Sequence, residues 1–275
     1  VFERSLMRSP RFLAAASLAA GAALLLSACA SSDDSGSAGS DATAAGGVTL
    51  LTPGTLTVCS NPPYEPFEFK DDNGDVVGLD IDIMQEVADD LGVDLLVKVT
   101  AFETIQSGVD LDTGSCDVVA SGITITDERK AKFDFSEPYF DADQGLLVPA
   151  GSDLSDVASL EGKKIAVQQA TTGETFAQDN DLQTVQFEDL GLQIQALKTG
   201  QVDAAINDIA VLGPFVEEGF EVATTFPTGE QYGFGVKKGS TALLDAINGT
   251  LDRIRTDGTY DAIYTERIGT APAGE

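Results

Sequence analysis

From Leu51 onward, short apolar runs alternate with amphipathic helical patterns, and this alternation limits the possible folds more than any other feature. A chain that sets strand-length runs between helices builds units whose strands pair in parallel and whose helices cover the sheet. The strand candidates are "TLTVCS", "LLVKV", "CDVVASG", "GLLVPA", "KKIAVQQ", "VDAAIND" and "YGFGVKK". "LDIDIMQEVADDLG" spaces Met84, Val87, Ala88 and Leu91 on one helical face and stops at Gly92. "EDLGLQIQALKTG", "DIAVLGPFVEEG" and "TALLDAINGTLDRIRTDG" read as further helices, and "FEFKDDNGDVVG" as a hairpin turning at Asn73-Gly74. Asp71, Asn73 and Asp75 resemble half a calcium loop, but the remaining ligands and the distal Glu are missing, so no metal is expected. "GSCDVVASG" and "GQVDAAIND" both follow a helix with Gly-x-x-Asp and then a strand, which suggests two similar α/β lobes around Asp117 and Asp203.

The N-terminal stretch reads differently. Arg4, Arg8 and Arg11 precede the apolar run Phe12 to Leu26, which is too short to span a bilayer and reads as a signal peptide over residues 1–28. "LSAC", ending at Cys29, resembles the lipobox of bacterial lipoproteins, whose cysteine becomes the lipid-bearing mature N-terminus; the alternative is ordinary cleavage after small residues. Val1 reads as an alternative start, with Met7 as the other candidate. Residues 29–50, Ser/Gly/Ala/Asp-rich for most of their length, read as a flexible tether to an exported domain.

Composition narrows the chemistry. A formal charge of -29 argues against nucleic acid as a partner. No histidine and only three cysteines remove the commonest general base and any zinc cluster, and no cofactor is expected. Against this acidic background Arg129 is the only arginine between Arg11 and Arg253, placed in the first turn of what reads as a helix, where the macrodipole disfavours a cation. It serves either as a surface charge balancing Asp127 and Glu128 or as a grip for a ligand carboxylate, which a guanidinium holds with two parallel hydrogen bonds. The helix start at Thr126–Asp127 would add backbone N–H groups that favour an anion.

Five ordered motifs, "GTLTVCSNPPYEPFEF", "GLDIDIMQEVADDLG", "GITITDERKAKFDFSEPYF", "LEGKKIAVQQATTGETF" and "GTYDAIYTERIG", resemble those of family 3 solute-binding proteins, the polar amino acid receptors of ABC importers. "GITITDERK" is similar to the same stretch in glutamine-binding proteins. The resemblance covers nearly all of residues 54–269. It implies a two-lobe, type II periplasmic-binding-protein-like α/β fold, with lobe 1 at 54–141 plus 233–269, lobe 2 at 144–230 and a tail at 270–275. The crossovers would fall near Asp141–Asp143 and Gln231–Tyr232, acting as hinge strands.

Residue by residue, the resemblance gives Gly122 and Thr124 backbone and hydroxyl bonds to the ligand, Arg129 and Thr172 its carboxylate, and Asp208 its ammonium. Asp208 also suits the N-cap of the helix it precedes. Tyr64 and Phe102 match two aromatics that sandwich the ligand stem, although both read equally as core residues; the segment after Phe102 runs slightly longer than the family's usual spacing. Side-chain specificity falls to Asn61, Gln168 and Asn207, all neutral, which favours a neutral polar amino acid such as glutamine. Export allows Cys59 and Cys116 to pair. Placed near the end and the start of parallel neighbours, they would stand roughly 10 Å apart or more, beyond disulfide reach.

The reading is therefore a monomeric, lipid-anchored receptor on the outer face of a bacterial membrane, which binds a free amino acid and delivers it to an ABC permease. The alternatives are an exported dehydratase of prephenate-like substrates on the same scaffold, or a sensing module with a signalling partner.

Overall fold

The computed structural model describes residues 44–269; the signal segment, Cys29, the tether up to residue 43 and the tail from residue 270 lie outside the described residues. Core packing starts at Val48, since Val48 and Leu50 are buried, slightly earlier than the Leu51 expected from composition.

The chain opens with β1 (Thr55–Ser60), the hairpin β2 (Phe69–Lys70) and β3 (Val76–Val77), α1 (Leu79–Leu91) and β4 (Asp94–Val99). Next come α2 (Phe102–Gln106), α3 (Val109–Asp112), β5 (Val118–Val119), α4 (Asp127–Lys130), β6 (Asp134–Phe135) and the long β7 (Phe140–Pro149). A second series follows: β8 (Lys164–Gln168), α5 (Thr172–Asp179), β9 (Gln183–Phe187), α6 (Leu190–Lys198), β10 (Ala204–Asp208) and α7 (Ile209–Leu212). β11 (Phe220–Tyr232), β12 (Gly235–Val236), α8 (Thr241–Asp257) and α9 (Thr259–Arg267) complete the described part.

The strands form two five-stranded sheets with matching topology, β4-β1-β5-β12-β6 and β9-β8-β10-β7-β11. In each sheet three strands pair in parallel and the last two are joined through antiparallel pairings, so only the fourth strand, β12 or β7, runs against the others. The α/β character is the one expected from the alternating pattern, and the two-lobe arrangement is the one the resemblance implies. β7 and β11 pair antiparallel from Phe140/Tyr232 to Pro149/Phe220, and the Tyr232 end of β11 also bridges to Thr124 beside the first sheet. The strands β7 and β11 thus lie side by side, one before and one after the second sheet's parallel strands in the chain.

α1 shows how the sequence sets an element. Ile83, Met84, Val87 and Leu91 are buried against the first sheet and α8, each contributing roughly 1.5–3 kcal/mol by burial. Gly92 ends the helix in the left-handed conformation that glycine adopts most cheaply, and its N–H returns to the Ala88 and Asp89 carbonyls. Elsewhere the elements are shorter than their patterns. "DIAVLGPFVEEG" is α-helical only over Ile209–Leu212 and then tightens to a 3-10 turn at Gly213–Glu218, where Pro214 supplies no N–H. α4 is a single turn, so little macrodipole stands behind the expected penalty on Arg129.

The repeated Gly-x-x-Asp has a structural cause. Asp117 accepts from the Thr57 N–H at the start of β1 (2.9 Å) while its own N–H donates to the Thr57 carbonyl. Asp203 makes the same pair of bonds with Lys164 at the start of β8. Each aspartate clasps a parallel neighbour at the entry to its sheet.

Cys59 and Cys116 form a disulfide, with Cα atoms 5.7 Å apart, which corrects the strand-spacing estimate. The estimate placed Cys116 on a strand, but β5 starts only at Val118, in register with Val58. Cys116 sits in the turn before it, where the backbone is free to bring it over the sheet. The bridge lies in a buried cluster with Phe102, Ile105, Leu111, Val119, Ile123 and Phe133.

Candidate functional site

Both walls of one cavity at the crossings are built from the loops at strand ends. Asn61 and Tyr64 follow β1, Phe102 opens α2, and Gly122, Thr124 and Arg129 belong to the segment from β5 into α4. Gln168 ends β8, Thr172 opens α5 and Asp208 ends β10. These nine of the ten residues singled out from the sequence line this cavity, and Asn207 does not. It holds about 280 Å³ of space between atoms, open solvent at its mouth included, and its walls are closely apposed, with Tyr64 bonded to Asp208 and Gln168 to Asn61 across it.

Arg129 is 4% exposed, which rules out a surface charge balancing its neighbours. Asp127 and Glu128 pair instead with Lys130 and Lys132. The guanidinium donates to the Thr124 carbonyl (2.9 Å) and, across the cleft, to the Ala170 carbonyl (3.0 Å), and lies 5.3 Å over the Phe102 ring. Burial lowers its pKa, and the fields of Asp208 and Glu230 partly restore it. Ala170 presents its carbonyl from a left-handed turn (φ 63), held because its N–H donates to Glu174 Oε2 (2.6 Å).

Asp208 stands at the N-cap position of α7 but makes no capping bond, which removes that alternative. Its Oδ2 accepts from the Tyr64 hydroxyl (2.6 Å) and from Tyr232, and its Oδ1 from Gln144. Burial raises its pKa to about 6 against the pull of these hydrogen bonds. The same burial, with Asp208 beside them, pushes Tyr64 and Tyr232 well above the usual phenol range. Tyr64 is thus tied by its hydroxyl to the opposite wall as well as packed by its ring.

Gly122 lies at φ 48, and a Cβ there would come within 2.8 Å of the Tyr64 ring. That backbone lets the Gly122 N–H donate to Asp80 Oδ2 (2.9 Å). Asn61 and Gln168 meet across the cleft at 3.1 Å, and Asn61 also donates to the Thr100 carbonyl. Gln168 Oε1 is buried without a hydrogen-bond partner. Asn207 turns away from the cavity: it donates to Gln193 and accepts from Tyr64.

Several residues here were not singled out from the sequence. Glu68, Ser121 and Thr171 also line the cavity. Glu68 is fully buried, accepts from Ser121 Oγ (2.6 Å), and leaves Oε2 without a partner. Its one sequence signal is an acid wedged between Phe67 and Phe69. Glu230 reaches the cleft from β11 and accepts from the Thr172 hydroxyl (2.7 Å), the Thr124 hydroxyl (3.2 Å) and Gln144 (3.2 Å). No local pattern marks it, because a break in the β7–β11 register between Phe226 and Glu230 delivers it there.

Comparison with known proteins agrees with this fold. Residues 56–270 match the model of the bacterial extracellular solute-binding proteins, family 3. A probable histidine-binding protein of Neisseria gonorrhoeae is 34% identical over 241 residues, 83% of this chain and 87% of that one. The ABC transporter glutamine-binding protein GlnH of Bacillus subtilis is 36% identical over 209 residues, covering 73% and 76%. Among solved structures, an ancestral arginine-binding protein bound to arginine is 40% identical with a TM-score of 0.74, covering 78% of this chain and 99% of that one. The glutamine-bound structure under the same name has a TM-score of 0.75, also at 40% identity, and covers 79% and 99%.

Proposed function

Because this chain belongs to the bacterial extracellular solute-binding proteins of family 3, we propose that it is a receptor that binds one free amino acid and delivers it to an ABC importer permease. The observation that carries this reading is the pair Arg129 and Asp208, opposite charges buried in the walls of one cavity. A zwitterion needs that arrangement: a cation for the carboxylate and an anion for the ammonium.

Closure is part of the reading. The apposed walls admit a ligand only by parting, so binding is a hinge motion about the β7 and β11 crossings, with residues 54–141 plus 233–269 moving against 144–230. The side-chain end is supported by Asn61 and by the unpartnered acceptor Gln168 Oε1. A neutral amide such as that of glutamine supplies the N–H groups these positions lack. Lipid on Cys29 would hold the receptor at the outer face of the cell membrane.

The test is a thermal-shift panel of the twenty amino acids followed by calorimetry of the hits. Affinity near the micromolar level, about -8 kcal/mol, is expected. Arg129→Ala should lower it by at least about a hundredfold, since a desolvated, bidentate contact is lost, with the melting curve still cooperative. Near-normal affinity in that variant would overturn the assignment.

A further inference from the structure

Beneath the cavity floor, two consecutive residues hold two buried acids. Ser121 donates its hydroxyl to Glu68 Oε1 (2.6 Å), and Gly122 donates its N–H to Asp80 Oδ2 (2.9 Å). Both carboxyls have no exposed surface. Asp80 also accepts from the Tyr139 hydroxyl (2.5 Å), so each of its oxygens has a donor. Glu68 has one donor, and its second oxygen has none although the residue lines the cavity.

Two adjacent buried carboxyls do not both ionise readily, and the proton settles on the one with fewer donors. That one is Glu68. Burial raises its pKa well above the carboxylate range, and the neighbouring Asp80 raises it further. Asp80 is also raised by burial, against the pull of Tyr139 and Gly122. The other titratable groups that feel Glu68 are phenols, Tyr64 from its own segment and Tyr139 at the entry to β7; burial raises both, Glu68 raises them further, and both remain neutral. The hydrogen bonds leave Oε2 as the one oxygen of the pair open to a ligand.

We propose that Glu68 is a proton-gated specificity residue: protonated on Oε2 it donates to a carbonyl on the ligand side chain, and deprotonated it accepts from a cationic side chain. A neutral amide or urea then binds with the proton in place. A guanidinium binds with that proton expelled to solvent. The inference rests on the reading that this cleft takes an amino acid, and it extends the ligand class from neutral amides to guanidinium side chains under control of pH.

Arginine and its neutral isostere citrulline separate the two states, because they differ in charge and hardly in shape. Calorimetry of each between about pH 5.5 and 8.5, in buffers of different ionisation enthalpy, reads affinity and proton release together. Protonation of Asp208 weakens both ligands alike at low pH, so their affinity ratio isolates Glu68. Below the Glu68 pKa arginine should release close to one proton more than citrulline does, and the arginine/citrulline ratio should rise toward about tenfold per pH unit. Glu68→Gln should flatten that ratio, because an amide carries no titrating proton. The proton-release measurement needs no variant, so it stands if Glu68→Gln fails to fold.

Parallel pH profiles with equal proton release by the two ligands overturn the inference and leave the receptor reading intact, as does citrulline binding with no arginine binding at the highest pH. No binding by arginine, citrulline or glutamine overturns both.

Discussion

At Asp208 the stability of the fold and the use of the cleft pull in opposite directions. The folded carboxyl keeps its proton up to about pH 6, whereas an unfolded aspartate loses it near 4. The residue therefore favours the folded state at low pH, and that contribution is lost as pH rises through about 6. About two units of difference correspond to about 3 kcal/mol of stability withheld at neutral pH. Asp208→Asn should raise the melting temperature at pH 7.5 and abolish amino acid binding, with the stability gain shrinking toward pH 4. An unchanged gap across that range would show that the carboxyl is not held raised. Ala170 holds a smaller reserve of the same kind, since a left-handed alanine costs about 1–2 kcal/mol and glycine there does not. Ala170→Gly should stabilise the protein by up to about 1 kcal/mol after the added unfolded-state entropy, as read by urea unfolding, with ligand affinity kept. Much of the site was legible residue by residue. Arg129 stood out as a cation without a reason, and the motif order placed Asp208, Thr172 and Asn61 in one cavity with it. Glu68 was not legible, because an acid between two phenylalanines is also what an ordinary half-exposed strand looks like.

Elements were legible where a periodic pattern and a stop signal coincided, as in α1 with Gly92. They were misread where pairing depended on a partner far away in sequence. Cys116 shows the limit: a residue before Val118 was counted as strand, and the assumed register separated two sulfurs that are bonded. The two aspartate clasps show the converse, since a weak repeat of Gly-x-x-Asp reflected the same bonds in both sheets. Their burial differs, and burial decides what each contributes. Asp117 is 8% exposed and satisfies two backbone donors, Leu51 and Thr57, while Asp203 is exposed and its side chain satisfies Lys164. Asp117→Ala should cost about 2 kcal/mol, because the buried Thr57 N–H is left without its acceptor. Asp203→Ala should cost under about 1 kcal/mol, since water replaces the lost acceptor. Equal losses in urea unfolding would mean that the clasp geometry outweighs desolvation.

For the whole molecule the decisive contacts are those made across the cleft, and these were hidden in the sequence because neither partner is near the other in the chain. Tyr64 reaches Asp208, Gln168 reaches Asn61, Arg129 reaches Ala170, and Glu230 holds hydroxyls from both walls at once. Glu230 differs from the rest in its anchor. It sits on β11, one of the two crossings, and its carboxylate gathers Thr124, Thr172 and Gln144 of β7. Separation of the walls must break at least one of those hydroxyl bonds, so this carboxylate favours the closed form although it is not among the residues that line the cavity. A hydrogen bond to a charged acceptor contributes about 1.5–3 kcal/mol. Glu230→Ala should therefore raise the ligand dissociation rate about tenfold or more, while the association rate, set by the open form, changes little. Thr172→Val in the same background should add almost nothing further, because the bond it removes is already gone. Stopped-flow measurement of both rates in the single and double variants checks this. Additive effects, or a loss confined to association, would show that Glu230 does not hold the walls together.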